Sequence, residues 1–192
     1  LCSAGIITFS FTETGFAYLM SKEPVTSVAH LKNLKAWIPD GDPIAAELVK
    51  SFGVSPIPLN ITDVLAGLQT GLINAVMAPP AVALALQWHN HVNYITDLPL
   101  VYIYSMMAMD EKAFTRIDEK DQWIMREVMN RVFEEVEQNT RVDNERALEA
   151  ISAIGIEKLK VSNDELVEWQ SIADLSVRNL IQSGEISEES VL

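Results

Sequence analysis

The sequence predicts an α/β protein, with a lobe built on a mainly parallel sheet and long C-terminal helices that brace it. Strand and helix signals alternate through residues 6–98, which is the pattern of a parallel sheet covered by helices. Residues 118–154 contain no proline or glycine and repeat apolar residues at helical spacing. With 192 residues, 48% of them hydrophobic and 21% charged, the chain is long enough to bury a full core.

The first elements are predicted from alternation and from the residues that interrupt it. Residues 6–11 and 16–21 are rich in β-branched and aromatic side chains, so we predict two separate strands. Residues 27–31 are expected to form a short helical turn. Residues 35–38 are predicted to form a short strand that must end at Pro39, because proline cannot donate a ladder hydrogen bond.

A helix over residues 43–52 is predicted from its ends. Asp42 has the side chain of an N-cap, and Pro43 has the fixed φ of a first helical residue. Gly53 follows the last apolar position and can take the left-handed conformation that ends a helix.

The same reasoning predicts the next helix and the segments after it. Thr62 is expected to cap a helix that Gly71 ends. Residues 72–77 contain few polar side chains and are predicted to be a strand buried on both faces. The remaining segments are predicted as a helix over residues 81–89 and strands over residues 93–98 and 100–109.

Two long helices are predicted at the C-terminal end. Residues 118–154 are expected to form one helix of about 35 residues, bent, if anywhere, near residues 139–140, where the apolar stripe lapses. Because helices usually run for ~11–12 residues, this one is expected to span more than one lobe. A final helix over residues 161–182 is predicted to begin at Ser162, with Glu165 at the capping-box position.

The charge of the chain argues against several classes of partner. A net charge of −13 makes nucleic acid and anionic membrane surfaces unfavourable partners. Of the 27 acidic residues, 20 lie in residues 110–192, so this part is expected to be the more strongly solvated. No apolar run approaches the ~18 residues of a membrane-spanning helix. No signal-peptide pattern is present in this chain.

The sequence contains no motif for catalysis or for a cofactor. A phosphate-binding loop, a dinucleotide fingerprint and a nucleophile elbow are all missing. His89 and His91 lie two residues apart without further ligand residues nearby, so we interpret them as surface or interlobe histidines rather than a metal site. Cys2 is alone, which excludes an internal disulfide, and we interpret it as a small buried residue.

Residues 31–80 contain the most specific pattern in the chain. The pattern is Leu-Lys-x-Leu-Lys, a strand ending in Pro39, a helix, a Gly-x-Ser-Pro turn, Asp-Val, Leu-Gln-Thr-Gly and a strand running into Pro79. It resembles the second-lobe core of the DctP-like periplasmic solute-binding proteins of TRAP transporters, which deliver carboxylate solutes to a membrane permease. The resemblance covers the whole chain but only the C-terminal part of a complete family member.

This resemblance implies a periplasmic-binding-protein-like fold, in which two lobes close around a small organic solute by hinge bending. Residues 1–100 are then the second lobe, residues 101–117 the interlobe crossover strands, and residues 118–192 the long interlobe helix and the C-terminal helices. The N-terminal lobe is expected to be absent from this chain. The implied partners are the solute and the membrane subunits of a TRAP permease, and the implied location is the periplasm.

The candidate ligand-binding residues surround Trp37. This residue lies at the C-terminal end of a predicted strand, where open α/β sheets bind ligands. Its indole is either a lid over the core or a flat apolar wall for a ligand, and the resemblance favours the wall. The predicted ligand wall consists of Trp37, Asp40, Ala17, Ile61, Ala78 and Tyr102.

Four of these residues replace residues typical of the resembled family. Trp37 occupies the position of the arginine that forms a bidentate salt bridge with the solute carboxylate. Ala17 replaces a second arginine, Ala78 an asparagine and Ile61 an aromatic residue. A buried carboxylate without a partner costs several kcal/mol or is protonated. Either the missing lobe therefore supplies the charge, or the ligand is neutral, aromatic or largely apolar.

Two other functions stay open at this point. A sensory or protein-interaction relative would use the cleft for another protein, and the apolar replacements are compatible with that use. An enzyme on a similar two-lobed fold would need a nucleophile, a base or a cofactor loop, and none is visible in the sequence.

Overall fold

The structure is a computed structural model that describes residues 5–188. Cys2, which the sequence predicts to be buried, lies outside the described residues. The strands are β1 (Ile6–Ser21), β2 (Lys35–Pro39), β3 (Ser55–Leu59), β4 (Ala75–Ala78), β5 (Tyr94–Thr96), β6 (Val101–Asp110) and β7 (Glu157–Leu159). The helices are α1 (Val28–Leu31), α2 (Pro43–Ser51), α3 (Val64–Thr70), α4 (Pro80–Ala85), α5 (Glu111–Phe114), α6 (Glu119–Ala153) and α7 (Asn163–Ser183), with 3-10 turns at Ile61–Asp63 and Trp88–His91.

The sheet is mixed, and most of its strands run in one direction. Its order is β3-β2-β4-β1-β5-β7, with β6 paired to β1 outside this path. β2 is parallel to β3 and β4, and β5 is parallel to β7, whereas β1 is antiparallel to β4, β5 and β6. The predicted α/β class with a mainly parallel sheet is therefore confirmed, with β1 as the antiparallel strand in the middle.

β1 is one strand of 16 residues, so the prediction of two separate strands was wrong. The pairing register of β1 with β6 shifts between Thr8 and Phe11 and again between Glu13 and Gly15. Bulges of this kind insert extra residues into a strand without ending it. Gly15, with φ of +106°, accommodates the second shift. In the sequence, this glycine was interpreted as the start of a separate strand.

β1 belongs to two parts of the molecule. Residues 6–17 pair with β6 in a two-stranded ribbon, which we call the crossover ribbon. Residues 18–21 pair with β4 and residues 20–21 also pair with β5, in the centre of the main sheet. A single strand thus connects the main sheet to the ribbon.

The predicted ends of the first two full helices are confirmed in part. The Asp42 carboxylate accepts a hydrogen bond from Ala45 N at 2.9 Å, and Gly71 ends α3 in the left-handed conformation. Thr62 does not cap α3, which corrects the prediction. Residues Ile61–Asp63 form a 3-10 turn after Asn60, and this turn leads directly into α3. The helix predicted over residues 81–89 ends at Ala85 and gives way to a 3-10 turn.

The long helix is confirmed as one continuous element, α6, of 35 residues. α7 begins after Ser162, whose hydroxyl accepts from Glu165 N at 3.4 Å. The Glu165 side chain does not complete a capping box. Its carboxylate instead accepts from Val28 N at 3.2 Å, because α1 lies close enough to offer an unpaired helix-terminal amide.

Two apolar clusters cover opposite faces of the main sheet. Leu19 and Met20 are neighbours on β1 and enter different clusters, as alternation along a strand requires. The cluster around Met20 includes residues of α3, α4 and α6, and the cluster around Leu19 includes residues of α1 and α7. The lobe is therefore a sheet between two helical layers.

β3 lies at one edge of this sheet, and its sequence is Ser-Pro-Ile-Pro-Leu. Pro56 lies opposite Ala36 and Pro58 opposite Ile38 in the parallel ladder with β2. Proline has no amide hydrogen, so the donors toward β2 come from the alternate residues, Ile57 and Leu59. Pro56 and Pro58 therefore occupy the positions whose backbone nitrogens point away from the sheet.

Candidate ligand-binding site

The carboxyl ends of β2, β3 and β4 lie at one edge of the main sheet. These three strands run parallel and end at Pro39, Leu59 and Ala78. β1 arrives there from the opposite direction and places Tyr18 across from Ala78. An open α/β sheet binds ligands outside the carboxyl ends of its strands, so this edge is the candidate site.

Trp37 is the middle residue of β2, two residues before the strand ends at Pro39, and it is partly buried. Its indole Nε1 donates to the Leu59 carbonyl at 2.9 Å, and its ring meets Trp88 edge-on with centroids 5.1 Å apart. Trp88 is almost fully buried in the apolar cluster around Met20. Trp37 therefore packs against the core with one part of its indole, and the remaining part is accessible to solvent.

Ala17 and Ala78 contribute little side-chain surface to the site. Ala17 is 0% exposed and Ala78 is 3% exposed, so the structure leaves almost no surface of either residue accessible to a ligand. Asp40 and Ile61 follow the ends of β2 and β3 and are both exposed, Ile61 to 54%. The ends of β2, β3 and β4 thus lead to Asp40, Ile61 and Ala78 at one edge of the sheet, with Trp37 two residues before the end of β2. Asp40 is the charged residue of this predicted set.

Tyr102 belongs to a second group of residues, on the crossover ribbon. It lies opposite Phe16 in the β1–β6 pairing, and the two rings meet edge-on with centroids 4.6 Å apart. The neighbouring pair in this ladder is Ala17 with Val101. Ala17 belongs to the predicted wall and lies where the ribbon joins the main sheet. The predicted wall is therefore divided between the strand ends and the ribbon.

A charged group that sequence reasoning missed lies next to Tyr102. Arg141 on α6 donates from Nε and Nη2 to the two carboxylate oxygens of Glu13, each at 2.9 Å. Hydrogen bonds from Arg141, and then from Tyr102, lower the pKa of Glu13 to about 2. The same bond with Glu13 raises the pKa of Arg141, and the Glu13 carboxylate raises the pKa of the Tyr102 hydroxyl. The guanidinium of Arg141 is therefore committed to a carboxylate of the protein itself.

The two histidines do not form a metal site in the described part of the chain. His89 Nδ1 lies 3.2 Å from the Ala83 carbonyl, and His91 Nε2 lies 3.5 Å from Gln69 Nε2. Within residues 5–188 there is no group of three or more His, Cys, Asp or Glu side chains placed to hold a metal ion. Nor does this part of the chain contain a helix that is long and apolar enough to cross a membrane.

A mainly parallel sheet between two helical layers, with strand ends free at one edge, is a fold of the α/β class that serves small-molecule binding. The chain belongs to the family of bacterial extracellular solute-binding proteins, family 7 (DctP), whose model matches residues 1–183. This family consists of transport solute-binding proteins rather than enzymes, which agrees with the lack of catalytic motifs in the sequence.

Individual relatives agree with the family assignment. The ectoine-binding periplasmic protein TeaA of Halomonas elongata is 24% identical over 152 residues, which are 79% of this chain and 42% of that protein. A solute-binding protein of Roseobacter denitrificans is 25% identical over 119 residues, covering 62% of this chain and 36% of the relative. The matches thus span less than half the length of these relatives.

Solved structures show the same fold. The sugar acid binding protein DctPAm of Advenella mimigardefordensis, in complex with galactonate, superposes with a TM-score of 0.92 at 18% identity. That superposition covers 100% of this chain and 61% of the other. A TRAP periplasmic solute-binding protein of Desulfovibrio salexigens with bound orotic acid gives a TM-score of 0.83 at 16% identity, covering 94% of this chain and 58% of the other.

Proposed function

We propose that the chain is part of the extracytoplasmic solute-binding component of a TRAP-type transporter, which traps a small organic solute and delivers it to a membrane permease. The observation that supports this most is the superposition of the whole chain on a sugar acid binding protein with a TM-score of 0.92. The family match over residues 1–183 supports the same role and a periplasmic location.

We propose the following division of the chain. Residues 1–100 are the second lobe, residues 101–117 the interlobe crossover, and residues 118–192 the interlobe and C-terminal helices. The crossover ribbon supports this division, because Tyr104 and Met106 on β6 are 61% and 46% exposed. Such side chains are expected where a first lobe would pack. A solute would then be enclosed between that lobe and the strand ends at Trp37.

We propose that the solute presents a neutral, flat or apolar surface to Trp37. The candidate site residues at the strand ends include no cationic side chain, and the nearby guanidinium of Arg141 is bound to Glu13. An anion on this wall would have no charge partner from the residues of the predicted site, at a cost of several kcal/mol if it were buried. A carboxylate of the solute would therefore be held by the other lobe.

Native mass spectrometry of the full-length protein from its host tests the proposed function. A small organic molecule should co-purify at a stoichiometric amount. Its absence, together with capture of a macromolecule in the cleft, would support the protein-interaction alternative instead.

Calorimetry on the full-length protein with that molecule then tests the role of Trp37. An aromatic wall contributes roughly 1–3 kcal/mol, so Trp37→Ala should weaken binding by about one to two orders of magnitude. Trp37→Phe keeps an aromatic ring but loses the hydrogen bond to the Leu59 carbonyl, so its affinity should lie between those of the wild type and Trp37→Ala. Val167→Ala, at a residue of α7 that is 70% exposed, is the control and should leave affinity unchanged.

Carboxylate probes distinguish the two possible sources of charge. Tight binding of galactonate or another simple carboxylate, unaffected by Trp37→Ala, would show that Trp37 is only a lid over the core. Trp37→Arg should create affinity for such carboxylates in the second lobe if Ala17 and Ala78 leave room for the guanidinium.

A further inference from the structure

One asparagine side chain on α6 joins three elements of the structure. Asn144 Nδ2 donates to the Thr14 carbonyl at 2.9 Å and to the Thr140 carbonyl at 3.0 Å. Its Oδ1 accepts from Ala81 N at 3.2 Å. Thr14 lies at the bulge of β1 and Ala81 in the first turn of α4. The planar amide of Asn144 therefore fixes the distance between the bulge and α4.

The start of α4 needs an acceptor from elsewhere. The first amides of a helix have no partner within the helix, and a side chain at the N-cap usually accepts one of them. Here the N-cap is Pro79 and the first helical residue is Pro80, so neither offers an amide hydrogen or a side-chain acceptor. The first donor is Ala81 N, which Asn144 satisfies. Because Ala78 immediately precedes this turn, Asn144 positions the backbone next to the candidate site.

The bulge of β1 is shaped around the same side chain. A Cβ atom at Gly15 would lie 2.7 Å from Asn144 Nδ2, which is closer than real Cβ contacts, and 3.3 Å from its Cγ, which is tight. Gly15 also has φ of +106°, a backbone conformation that residues other than glycine rarely adopt. Glu13, two residues earlier, is held by Arg141 one turn before Asn144 on the same helix. α6 therefore contacts this segment of β1 at consecutive turns.

We propose that Asn144 is a positioning residue that couples the start of α4, next to the candidate site, to the bulge of β1. Movement of either segment displaces the amide and so changes the hydrogen bond to the other. The significance of this coupling for solute binding rests on the proposed function. The coupling itself exists in the chain without a solute and is testable without one.

Amide hydrogen exchange of the 192-residue chain, read by mass spectrometry with peptides spanning residues 12–17 and 79–84, tests the proposal. Asn144→Ala removes all three hydrogen bonds and should speed exchange in both segments by about three- to tenfold, the range for one lost hydrogen bond. At Ala81 the amide loses its acceptor, and in residues 12–17 the bulge opens more often because the Thr14 carbonyl loses its donor. Asn130→Ala is the matched control on α6. Asn130 accepts from Ser10 Oγ, and its loss should leave residues 79–84 unchanged.

Asn144→Asp separates the two directions of the coupling. The carboxylate still accepts from Ala81 N but no longer donates to the Thr14 carbonyl. Exchange should therefore rise in residues 12–17 and stay near the wild-type rate at Ala81. Equal acceleration in both segments with Asp, or an unchanged segment 79–84 with Ala, would overturn the proposal.

A substitution on β1 tests whether a displacement is transmitted. Gly15→Ala puts a methyl group against Asn144 and should speed exchange at residues 79–84, on a different element. Gly53→Ala is the control, because Gly53 also has positive φ, +74°, but has open space within 4 Å. Residues 79–84 that respond to neither substitution, or equally to both, would refute the coupling. If Gly15→Ala fails to fold, the Asn144 variants decide the matter. A failure to find a solute would leave every one of these outcomes intact.

Discussion

The two halves of α6 contain similar apolar residues but lie in different surroundings. In the C-terminal half, Ala147 and Ile151 are 4% and 0% exposed and pack into the lobe. In the N-terminal half, Met125, Met129 and Phe133 are only partly buried. A neighbouring stripe there is open, with exposed side chains at Trp123, Ile124, Val128, Val132 and Val136. One helix is thus a core element at one end and an uncovered apolar surface at the other.

This difference shows what helical periodicity can and cannot predict. The spacing of apolar residues predicts a continuous helix, since both halves follow the same 3.6-residue repeat. It does not say which half has a covering element within the chain. The exposed half lies alongside the crossover ribbon, whose residues Phe11, Tyr104 and Met106 are also exposed. The two exposed surfaces are what the proposed first lobe would cover.

The largest effect is expected from a deletion in the buried half. Ile151→Ala should lower the free energy of unfolding by about 2–5 kcal/mol, because it opens a cavity in a fully packed cluster. Val132→Ala, in the exposed half, should change it by less than about 0.5 kcal/mol. Urea unfolding of both variants measures the contrast. Similar losses for the two would mean that Val132 is covered in solution.

Association through the exposed half is the second expected effect. Contiguous exposed apolar side chains favour contact between molecules, so the wild-type chain should oligomerise as its concentration rises. The double variant Val128→Lys with Val132→Lys should shift it toward monomer in sedimentation velocity. Val167→Lys, at an exposed residue of α7, should have no such effect. A wild-type chain that stays monomeric at every concentration would contradict the division into lobes.

The smallest effect is expected at the ion pair where α6 meets the ribbon. The pKa of Glu13 is about 2 in the folded chain, below its ordinary value of 4.5, so the folded state favours the carboxylate. The stabilisation is therefore complete above pH 4.5 and is lost as the pH falls toward 2. The difference in unfolding free energy between wild type and Glu13→Gln should shrink over that range.

Two controls make this measurement specific. Arg141→Ala should remove most of the pH dependence that Glu13 contributes, because the guanidinium is the main cause of its lowered pKa and Tyr102 the second. High salt should reduce the effect at neutral pH, since the Arg141 side chain is 74% exposed. A difference that persists unchanged at pH 2 would show that Glu13 acts by packing rather than by charge.

Features that depend on neighbouring residues could be predicted from the sequence. Asp42 and Ser162 cap the starts of α2 and α7 as predicted, and Gly71 caps the C-terminal end of α3. These positions could be predicted because a cap acts on residues only a few positions away in the chain. Trp37 was predicted at the end of its strand, whereas β2 continues through Ile38 to Pro39 and leaves Trp37 in its middle. The prediction that Thr62 caps α3 was wrong because Thr62 lies inside the 3-10 turn that follows Asn60 and precedes α3.

Features that depend on distant residues could not be predicted. Glu13 and Arg141 are 128 positions apart, and no local pattern marks either as the partner of the other. β7 has only three residues and acquires its strand conformation by pairing with β5. The bond from Trp37 to the Leu59 carbonyl likewise depends on the pairing of β2 with β3. These contacts appear only when the whole sheet is assembled.

The prolines of β3 protect one edge of the sheet from pairing with a strand of another molecule, and the other exposed strands lack this protection. At β3, Pro56 and Pro58 leave no amide hydrogens pointing outward, so an incoming strand would find few donors there. The opposite edge of the main sheet is β7, which is short. Within residues 5–188, β6 pairs with β1 alone and has ten residues, including exposed Met106 and Met107. Fibril-like growth by strand addition would therefore begin at β6, and a proline placed there should suppress it.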